Sequence, residues 1–308
     1  MTVLVLGGYG AVGAHLVRLL RAQGIPALAA GRDAARADRA LDVTDLDSVA
    51  AALAGVSTVV NCAGTEDVRL AAACAGRGIA FLEISATSGY VRALERVDGP
   101  VVLGVGLAPG LTTLLAVDAL ANGPGPVDIM VGLGAGERHG PAATAWTYGL
   151  LGRHFADADG SAVRNFTRPA RFALPEPSGY PPFPALRADF ADQHRLTRDF
   201  AVPVRTYLRM DSRLATAGLA ALTWAPALRA LTPRRMPGGD RWVILARPAD
   251  GPTRWATGRG QSLATAVVAA LTVRAAAHRR LTAPTWIHEI LALDTVRQEL
   301  AAAGIGLG

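Results

Sequence analysis

The chain has 308 residues, 51% of them apolar and 18% charged, with a formal net charge of +6. That composition excludes a disordered chain and is enough for two modest domains sharing a substantial core. All 31 basic side chains are arginines scattered along the chain, which argues against a nucleic-acid stripe, and the absence of lysine excludes a Tyr-x-x-x-Lys relay, a Schiff base and a Walker-type phosphate lysine.

Val3-Leu4-Val5-Leu6 predicts a short buried strand, and Gly7-Gly8-Tyr9-Gly10-Ala11-Val12-Gly13 follows it without a gap. Residues 14–22 then carry a helical apolar face of Leu16, Val17, Leu19 and Leu20. In this context the glycines read as a dinucleotide-binding turn. Gly8 permits a tight turn, Gly10 has no Cβ to hold backbone away from a pyrophosphate, and Gly13 lets the helix lie close to the strand. The helix N-terminus faces the phosphates. Gly7, Gly8, Tyr9, Gly10, Ala11 and Val12 are the cofactor contacts expected from the turn.

The second strand, 26–30, runs into Gly31-Arg32-Asp33, where the adenine ribose is read. A guanidinium there suits a 2′-phosphate and an acidic group suits the 2′-hydroxyl of NAD. Arg32 favours NADP(H) over NAD; a one-residue shift of the strand end would put Asp33 there instead. Asp42 and Val43 are expected to line the adenine pocket, with Asp45 as the N-cap of the next helix.

Strands at 56–61, 79–84 and 100–104 alternate with helices at 68–76 and 88–96, the pattern of a parallel doubly wound sheet. Asn61-Cys62-Ala63-Gly64 ends one of these strands with small residues that let backbone approach a cofactor. Cys62 and Cys74 are the only cysteines. They support neither a disulfide framework nor a metal centre, and point to a reduced, cytoplasmic setting. No basic leader precedes the first strand, and the weakly polar stretch 101–117 is interrupted by Gly104, Gly106, Pro109 and Gly110, so no stable membrane insertion is expected.

Asn122-Gly123-Pro124-Gly125-Pro126 marks a domain boundary. Beyond it, 127–134 predicts a strand, 141–155 a helix, 169–184 mostly loop and 202–210 a strand; 241–247 and 253–258 form a hairpin. Helices at 262–277 and 286–303 close the chain. The apolar segment 214–228 reads either as a pocket-capping core helix or as the contact of a homodimer.

In the strand 203–211, Arg205, Tyr207, Arg209 and Asp211 share one face. That face is either the solvent side of a sheet or a cleft wall in which two guanidiniums hold a carboxylate while Tyr207 donates a proton. His139 stands at a strand-to-helix junction, with Trp146 and Tyr148 one to two turns into the helix; they are either an acid-base and substrate-contact group or core and edge residues. Asp192 and His194 are too close in sequence to share a helix face. No metal-ligand spacing is present.

Val59-Val60-Asn61-Cys62-Ala63-Gly64, Ala73-Cys74, Leu82-Glu83-Ile84-Ser85 and above all Gly106-Leu107-Ala108-Pro109-Gly110-Leu111 resemble the saccharopine dehydrogenase-like family of NAD(P)-dependent oxidoreductases, well over residues 1 to about 122, faintly in the last two helices and loosely between. The resemblance implies a hydride-transfer cleft between two domains, with Ser85 and the Pro109-Gly110 turn on its cofactor side and the C-terminal helices packed back on the first domain. It implies chemistry on imines formed from an amino acid and an aldehyde. Glu83 departs from the Asp common at that strand end, and the family's substrate-domain motifs are missing, so the substrate does not carry over.

The fold expected is α/β: a Rossmann sheet over 1–122 completed by helices within 261–308, and a smaller α+β domain over 123–260. The function expected is an NADPH-dependent reductase acting on a C=N or C=O group of a small molecule. Its catalytic candidates are His139, Tyr148 and Tyr207, its substrate contacts Trp146, Arg205 and Arg209. The alternatives are an NADP(H)-binding redox sensor without turnover and an enoyl-type C=C reductase.

Overall fold

Strands buried on both faces carry unbroken apolar runs, and the first half of the chain is organised around such runs. The structure is a computed structural model that describes residues 1–123, 125–137, 141–180, 182–231 and 238–308. In chain order the first elements are β1 (Val3–Leu6), α1 (Gly13–Ala22), β2 (Ala27–Gly31), β3 (Arg39–Ala40), α2 (Leu46–Ala52), β4 (Thr58–Asn61), α3 (Val68–Ala75), β5 (Ala80–Glu83), α4 (Ser88–Leu94) and β6 (Val101–Leu103). There follow α5 (Leu111–Asn122), β7 (Val127–Leu133), α6 (Pro141–Gly149), β8 (His154–Ala156), β9 (Ala162–Arg164), β10 (Thr167–Ala170), β11 (Ala185–Arg187), α7 (Ala191–Phe200), β12 (Val204–Met210), α8 (Arg213–Leu222), β13 (Arg241–Pro248) and β14 (Arg254–Arg259). The chain closes with α9 (Gln261–Ala277), β15 (Thr285–Trp286), α10 (Ile287–Ile290), α11 (Leu293–Ala302) and β16 (Gly306–Leu307).

Two units result, Met1–Leu111 with Ser262–Ala292, and Thr112–Gln261 with Leu293–Gly308. The first is the expected parallel sheet, in the order β15-β6-β5-β4-β1-β2-β3. One face is sealed by Leu16, Val17 and Leu20 of α1 and Ala266, Ala269, Ala270 and Val273 of α9, packed on Val3, Val5, Val60, Leu82 and Val102. Leu4, Leu6, Val59 and Phe81 alternate to the opposite face and are equally buried.

The second unit holds a mixed sheet, β10-β11-β12-β7-β13-β14-β16, in which only β12 and β7 run parallel. Its limits differ from the expected 123–260. Helix α5 belongs to it, held by the Thr112 hydroxyl donating to Asp192 at 2.7 Å and by an Asp118–Arg254 ion pair at 2.5 Å. The last helix also belongs to it rather than to the first unit, because β16 adds to the sheet edge at β14.

Three predicted helices are shorter than the apolar pattern suggested. The 141–155 segment stops at Gly149 and, past Gly152 at φ +76°, becomes β8 paired with β9. The 286–303 segment breaks at Leu291, which is extended and separates α10 from α11. Within 214–228 the helix ends at Leu222, and Pro226 opens a 3-10 turn. That segment leaves Leu214 85% and Trp224 68% exposed.

Candidate functional site

The glycine turn is built as a close-packed knot. The Gly8 N–H donates to the Ala30 carbonyl at 3.1 Å, and the Gly10 N–H to the Gly7 carbonyl at 2.8 Å. The left-handed residue is Gly7, at φ +68°, and not Gly8 as the motif suggested. Gly8 is required by packing instead: a Cβ there would lie 2.5 Å from Ala29 Cα. At Gly13 a Cβ would lie 2.3 Å from the Gly7 oxygen, which explains how the helix can start directly against the turn. Helix α1 has no side-chain N-cap and no acidic residue in its first turn. The Ala14 N–H donates to the Gly10 carbonyl at 3.1 Å, and no side-chain carboxylate occupies the positive end of the helix, the arrangement suited to a diphosphate.

The end of β2 is tied to this turn by Tyr9. Its ring lies against Gly31, where a Cβ would come within 2.6 Å of the phenol oxygen, and that oxygen accepts the Asp33 N–H at 3.0 Å. The Asp33 carboxylate accepts the Ala35 N–H at 3.0 Å and so serves its own turn. Arg32 is exposed and makes no ion pair among the described residues. Its charge, after two hydrogen bonds from Thr44, helps hold the Asp42 carboxyl below the usual carboxylate range. Asp45 caps α2 as expected, accepting the Asp47 N–H. Arg36, which the motif did not single out, stacks over Tyr9 with 4.4 Å to the ring centroid and donates to the Tyr9 carbonyl at 3.2 Å. A guanidinium one turn after the strand end was the available signal, because only a turn at 33–37 returns it to Tyr9.

At the carboxyl edge of the sheet, Asn61 and Glu83 stand opposite each other in the β4–β5 register. Asn61 Nδ2 donates to Glu83 Oε2 at 2.7 Å and to the Thr65 carbonyl at 3.0 Å, while Asn61 Oδ1 accepts the Ala63 N–H at 3.2 Å. Tyr90 donates to Glu83 Oε2 at 3.0 Å, and the Ser85 N–H to Oε1 at 2.8 Å. Burial pushes the Glu83 carboxyl up to about 7, the hydrogen bonds only partly opposing it. The Cys62 thiol is pushed far above its usual value by burial and by the Glu83 charge, so it is not a nucleophile at neutral pH. Nearby, Gly106 and Gly110 close the Pro109 loop: a Cβ on Gly110 would lie 1.8 Å from the Gly106 oxygen. Thus Asn61 ends β4, and Cys62, Ala63, Gly64, Ser85 and Pro109 fall on loops of the first unit.

The candidates of the second unit are not brought together in the same way. Residue 139 lies outside the described residues. Trp146 packs edge-on against Phe190 with 4.8 Å between ring centroids, and Tyr148 is half-buried on the same helix. Arg205, Tyr207 and Arg209 do alternate onto one face of β12, but that face is covered rather than open. Arg209 is 1% exposed, stacked on Phe183 at 3.4 Å and donating to its carbonyl at 3.1 Å; Tyr207 packs edge-on against Phe172. Phe172 and Phe183, in the proline-rich segment expected as loop, supply the cover. The sequence could not foretell it, because a strand pattern does not say what crosses its face. Arg205 keeps partial exposure and lies 4.0 Å from Asp128. Asp192 and His194 part, as their spacing required: Asp192 faces Thr112, and His194 meets Asp189 at 2.6 Å.

Residues 3–83 match the model of the NAD dependent epimerase/dehydratase family. A comparison with curated proteins finds no match. Among solved structures, the chain is similar to UDP-N-acetylglucosamine 4-epimerase from Bacillus cereus, with 21% identity over 29% of this chain and 40% of that one and a TM-score of 0.24. It is similar to aspartate semialdehyde dehydrogenase II from Vibrio cholerae, with 10% identity over 84% and 74% of the two chains and a TM-score of 0.38. For the Thermus thermophilus UDP-glucose 4-epimerase complex with NAD the figures are 14%, 77% and 86%, and 0.29. The chain spans 40% of the length of the first of these. The family match takes in the glycine turn, the end of β2 and the strands carrying Asn61 and Glu83, the part of the chain where the sequence predicts a nicotinamide coenzyme. It is a match to that family and not specifically to the saccharopine dehydrogenase-like one.

Proposed function

We propose that the protein is an NADPH-dependent reductase that acts on the C=N or C=O carbon of a small metabolite, in the manner of saccharopine dehydrogenase-like enzymes. The observation that carries this reading is the N-terminus of α1, without a side-chain cap or an acidic residue in its first turn, opening directly from a glycine turn in which Gly8 and Gly13 have no room for a Cβ, with the exposed Arg32 at the neighbouring strand end. The coenzyme supplies a hydride when bound. The α1 amides bind its diphosphate, Arg32 meets a 2′-phosphate by charge-assisted hydrogen bonds, and Asp42 and Val43 flank the adenine. The Asn61–Gly64, Ser85 and Pro109 loops hold the nicotinamide end. Arg205 and Trp146 contact substrate, and Tyr148 or His139 donates the proton. A cytoplasmic homodimer belongs to the same reading; no helix among the described residues is long and apolar enough to cross a membrane.

One observation favours a second reading, a coenzyme-binding regulator without turnover: Tyr207 and Arg209, two of the groups assigned to substrate chemistry, are enclosed. Calorimetric titration with NADPH and NADH, followed by NADPH oxidation against a panel of imines, ketones and enones, separates the two. Binding with turnover supports the reductase, binding without it the regulator, and oxidation of enones alone a C=C reductase. Failure to bind either coenzyme removes all three.

A further inference from the structure

The segment 214–228 carries no charged side chain, and a helix apolar on every side is ordinarily buried on every side. Helix α8 and the turn after it are not. Ala215, Thr216, Leu219 and Thr223 are buried, while Leu214, Ala217 and Ala221 stand exposed along α8 at three- and four-residue spacing, and Trp224 and Leu228 continue outward in the turn that follows. Of the five large apolar side chains exposed among the described residues, three fall in this one segment: Leu214, Trp224 and Leu228. Their clustering, and not their exposure singly, marks an interaction surface.

The charges around the patch have one sign. Between Asp211 and Asp240 the sequence holds Arg213, Arg229, Arg234 and Arg235 and no acidic residue. Arg213 is exposed at the start of α8, its guanidinium 5.9 Å from the Phe183 ring centroid. Arg164 lies 4.5 Å over the Trp224 ring and donates to the Thr223 carbonyl at 3.3 Å. Arg153 is exposed next to Gly152, which abuts the turn: a Cβ on Gly152 would lie 2.7 Å from Pro226 Cγ. None of these three arginines makes an ion pair among the described residues. The acidic groups of the flanking elements are engaged elsewhere. Asp211 accepts the Ala135 and Gly239 N–H groups, Asp157 is paired with Arg187, and Asp159 at the β8–β9 turn accepts the Ser161 N–H.

What covers such a face must be apolar and must carry negative charge at its margin. A second copy fails the charge requirement, because a two-fold contact sets these arginines against their own copies with no carboxylate between them. A folded partner makes about one hydrogen bond per 100–200 Å² of interface, whereas the outward side chains of the patch offer only the Trp224 indole N–H. An anionic bilayer meets both demands, with acyl chains for the leucines, phosphates for the guanidiniums and a head-group layer in which an indole settles. We propose that the α8 face, from Leu214 to Leu228, docks on an anionic lipid surface. Leu214, Trp224 and Leu228 enter the boundary between head groups and acyl chains, Arg153 and Arg213 meet lipid phosphates, and Arg164 keeps the indole in place. The protein adsorbs without crossing, since no helix among the described residues is long and apolar enough to span a membrane. This docking is independent of the coenzyme reading given above.

Trp224 is the one exposed tryptophan of the five, so indole fluorescence reports on this face. The full chain is mixed with vesicles of phosphatidylcholine alone and of phosphatidylcholine with about a quarter phosphatidylglycerol. Binding is read by co-sedimentation, and the burial of Trp224 by acrylamide quenching. The wild type binds the anionic vesicles about 30-fold tighter than the neutral ones, from two arginines at the lipid surface. Quenching falls on binding, and salt at about 0.5 M releases the protein. Leu214→Ser and Trp224→Ser, both at exposed positions, each weaken binding about tenfold, and Arg213→Gln weakens it about fivefold. Light scattering without lipid gives the state of the free protein. Equal affinity for the two kinds of vesicle, no binding to the anionic ones at low salt, or binding that Leu214→Ser and Trp224→Ser leave unchanged overturns the proposal. So does a dimer of the free protein that Leu214→Ser dissociates, because a second copy then covers the face.

Discussion

The backbone N–H of Asp33 donates to the phenol oxygen of Tyr9 at 3.0 Å, so the glycine turn after β1 and the strand end of β2 are joined by one side chain. Tyr9 thereby sets where Arg32 leaves the backbone, and Arg36 covers the ring from the other side. Tyr9→Phe keeps the ring on Gly31 and deletes only the acceptor. Because the bond is exposed, the expected loss of stability is small, about 0.5 kcal/mol, while NADPH binding weakens about threefold, a similar free energy. Unchanged affinity in a calorimetric titration would mean that the tie does not position Arg32.

Arg32 is expected to decide between the two coenzymes. Replacing it with Ala removes charge-assisted hydrogen bonds worth roughly 1.5–3 kcal/mol, so NADPH affinity falls about 10- to 100-fold. NADH affinity stays within about twofold on the same scale. An equal loss for both coenzymes would show that Arg32 supports the fold of the strand end and reads no phosphate.

Gly13→Ala tests the packing of the turn. The added Cβ would meet the Gly7 oxygen at 2.3 Å and the Gly8 Cα at 2.8 Å, both backbone atoms that cannot swing aside. The expected cost is about 1–3 kcal/mol of stability, together with loss of coenzyme binding. Gly24→Ala is the control for added bulk: its Cβ would meet nothing within 4 Å, although its φ of +74° still carries a conformational cost. Denaturant midpoints for the two variants decide whether the clash adds to the ordinary cost of losing a glycine.

Glu83 also makes a prediction about stability. Its folded value, about 7, lies above its ordinary value of 4.5 because burial penalises the charge. Between those two values the unfolded chain has released a proton that the folded chain still holds, so stability falls as pH rises. The contribution is fully present below 4.5 and lost as pH passes about 7. It amounts to about 3 kcal/mol, and Glu83→Gln should flatten the stability curve by that amount. Urea unfolding at pH 5, 6, 7 and 8 measures it; parallel curves for the two proteins would show that Glu83 ionises in the fold as it does in water.

In the second unit Arg187 is almost wholly buried and paired with Asp157 at 3.1 Å, its guanidinium lying 5.2 Å from the Phe155 ring centroid and 5.3 Å from that of Tyr207. Removing the carboxylate by Asp157→Ala strands a buried cation, with an expected loss of about 3–5 kcal/mol. Arg187→Met should cost less, because the Asp157 carboxylate left behind still has Arg168 3.6 Å away. If Asp157→Ala is as stable as wild type, water reaches the guanidinium and the pair is not structural.

The local grammar of the first unit was legible without coordinates. An apolar run of four, glycines at fixed spacing, an amphipathic helix and a capping Asp45 are interactions between near neighbours in the chain, and the structure realises them within a residue or two. Arg32 and the small-residue loop at Asn61–Gly64 were legible for the same reason, since a strand end marks their place. What the linear order could not supply was anything depending on which distant segments meet. Gly7 takes the left-handed φ while Gly8 is held against Ala29; α5 joined the second unit because Asp192 and Arg254 hold it; and the polar face of β12 closed because Phe172 and Phe183 lie over it. The role of Glu83 belongs to the same class. A lone glutamate at a strand end carries no signal until the β4–β5 register sets Asn61 beside it and α4 brings Tyr90, since burial and convergent donors, which govern its ionisation, are properties of packing and not of sequence neighbours.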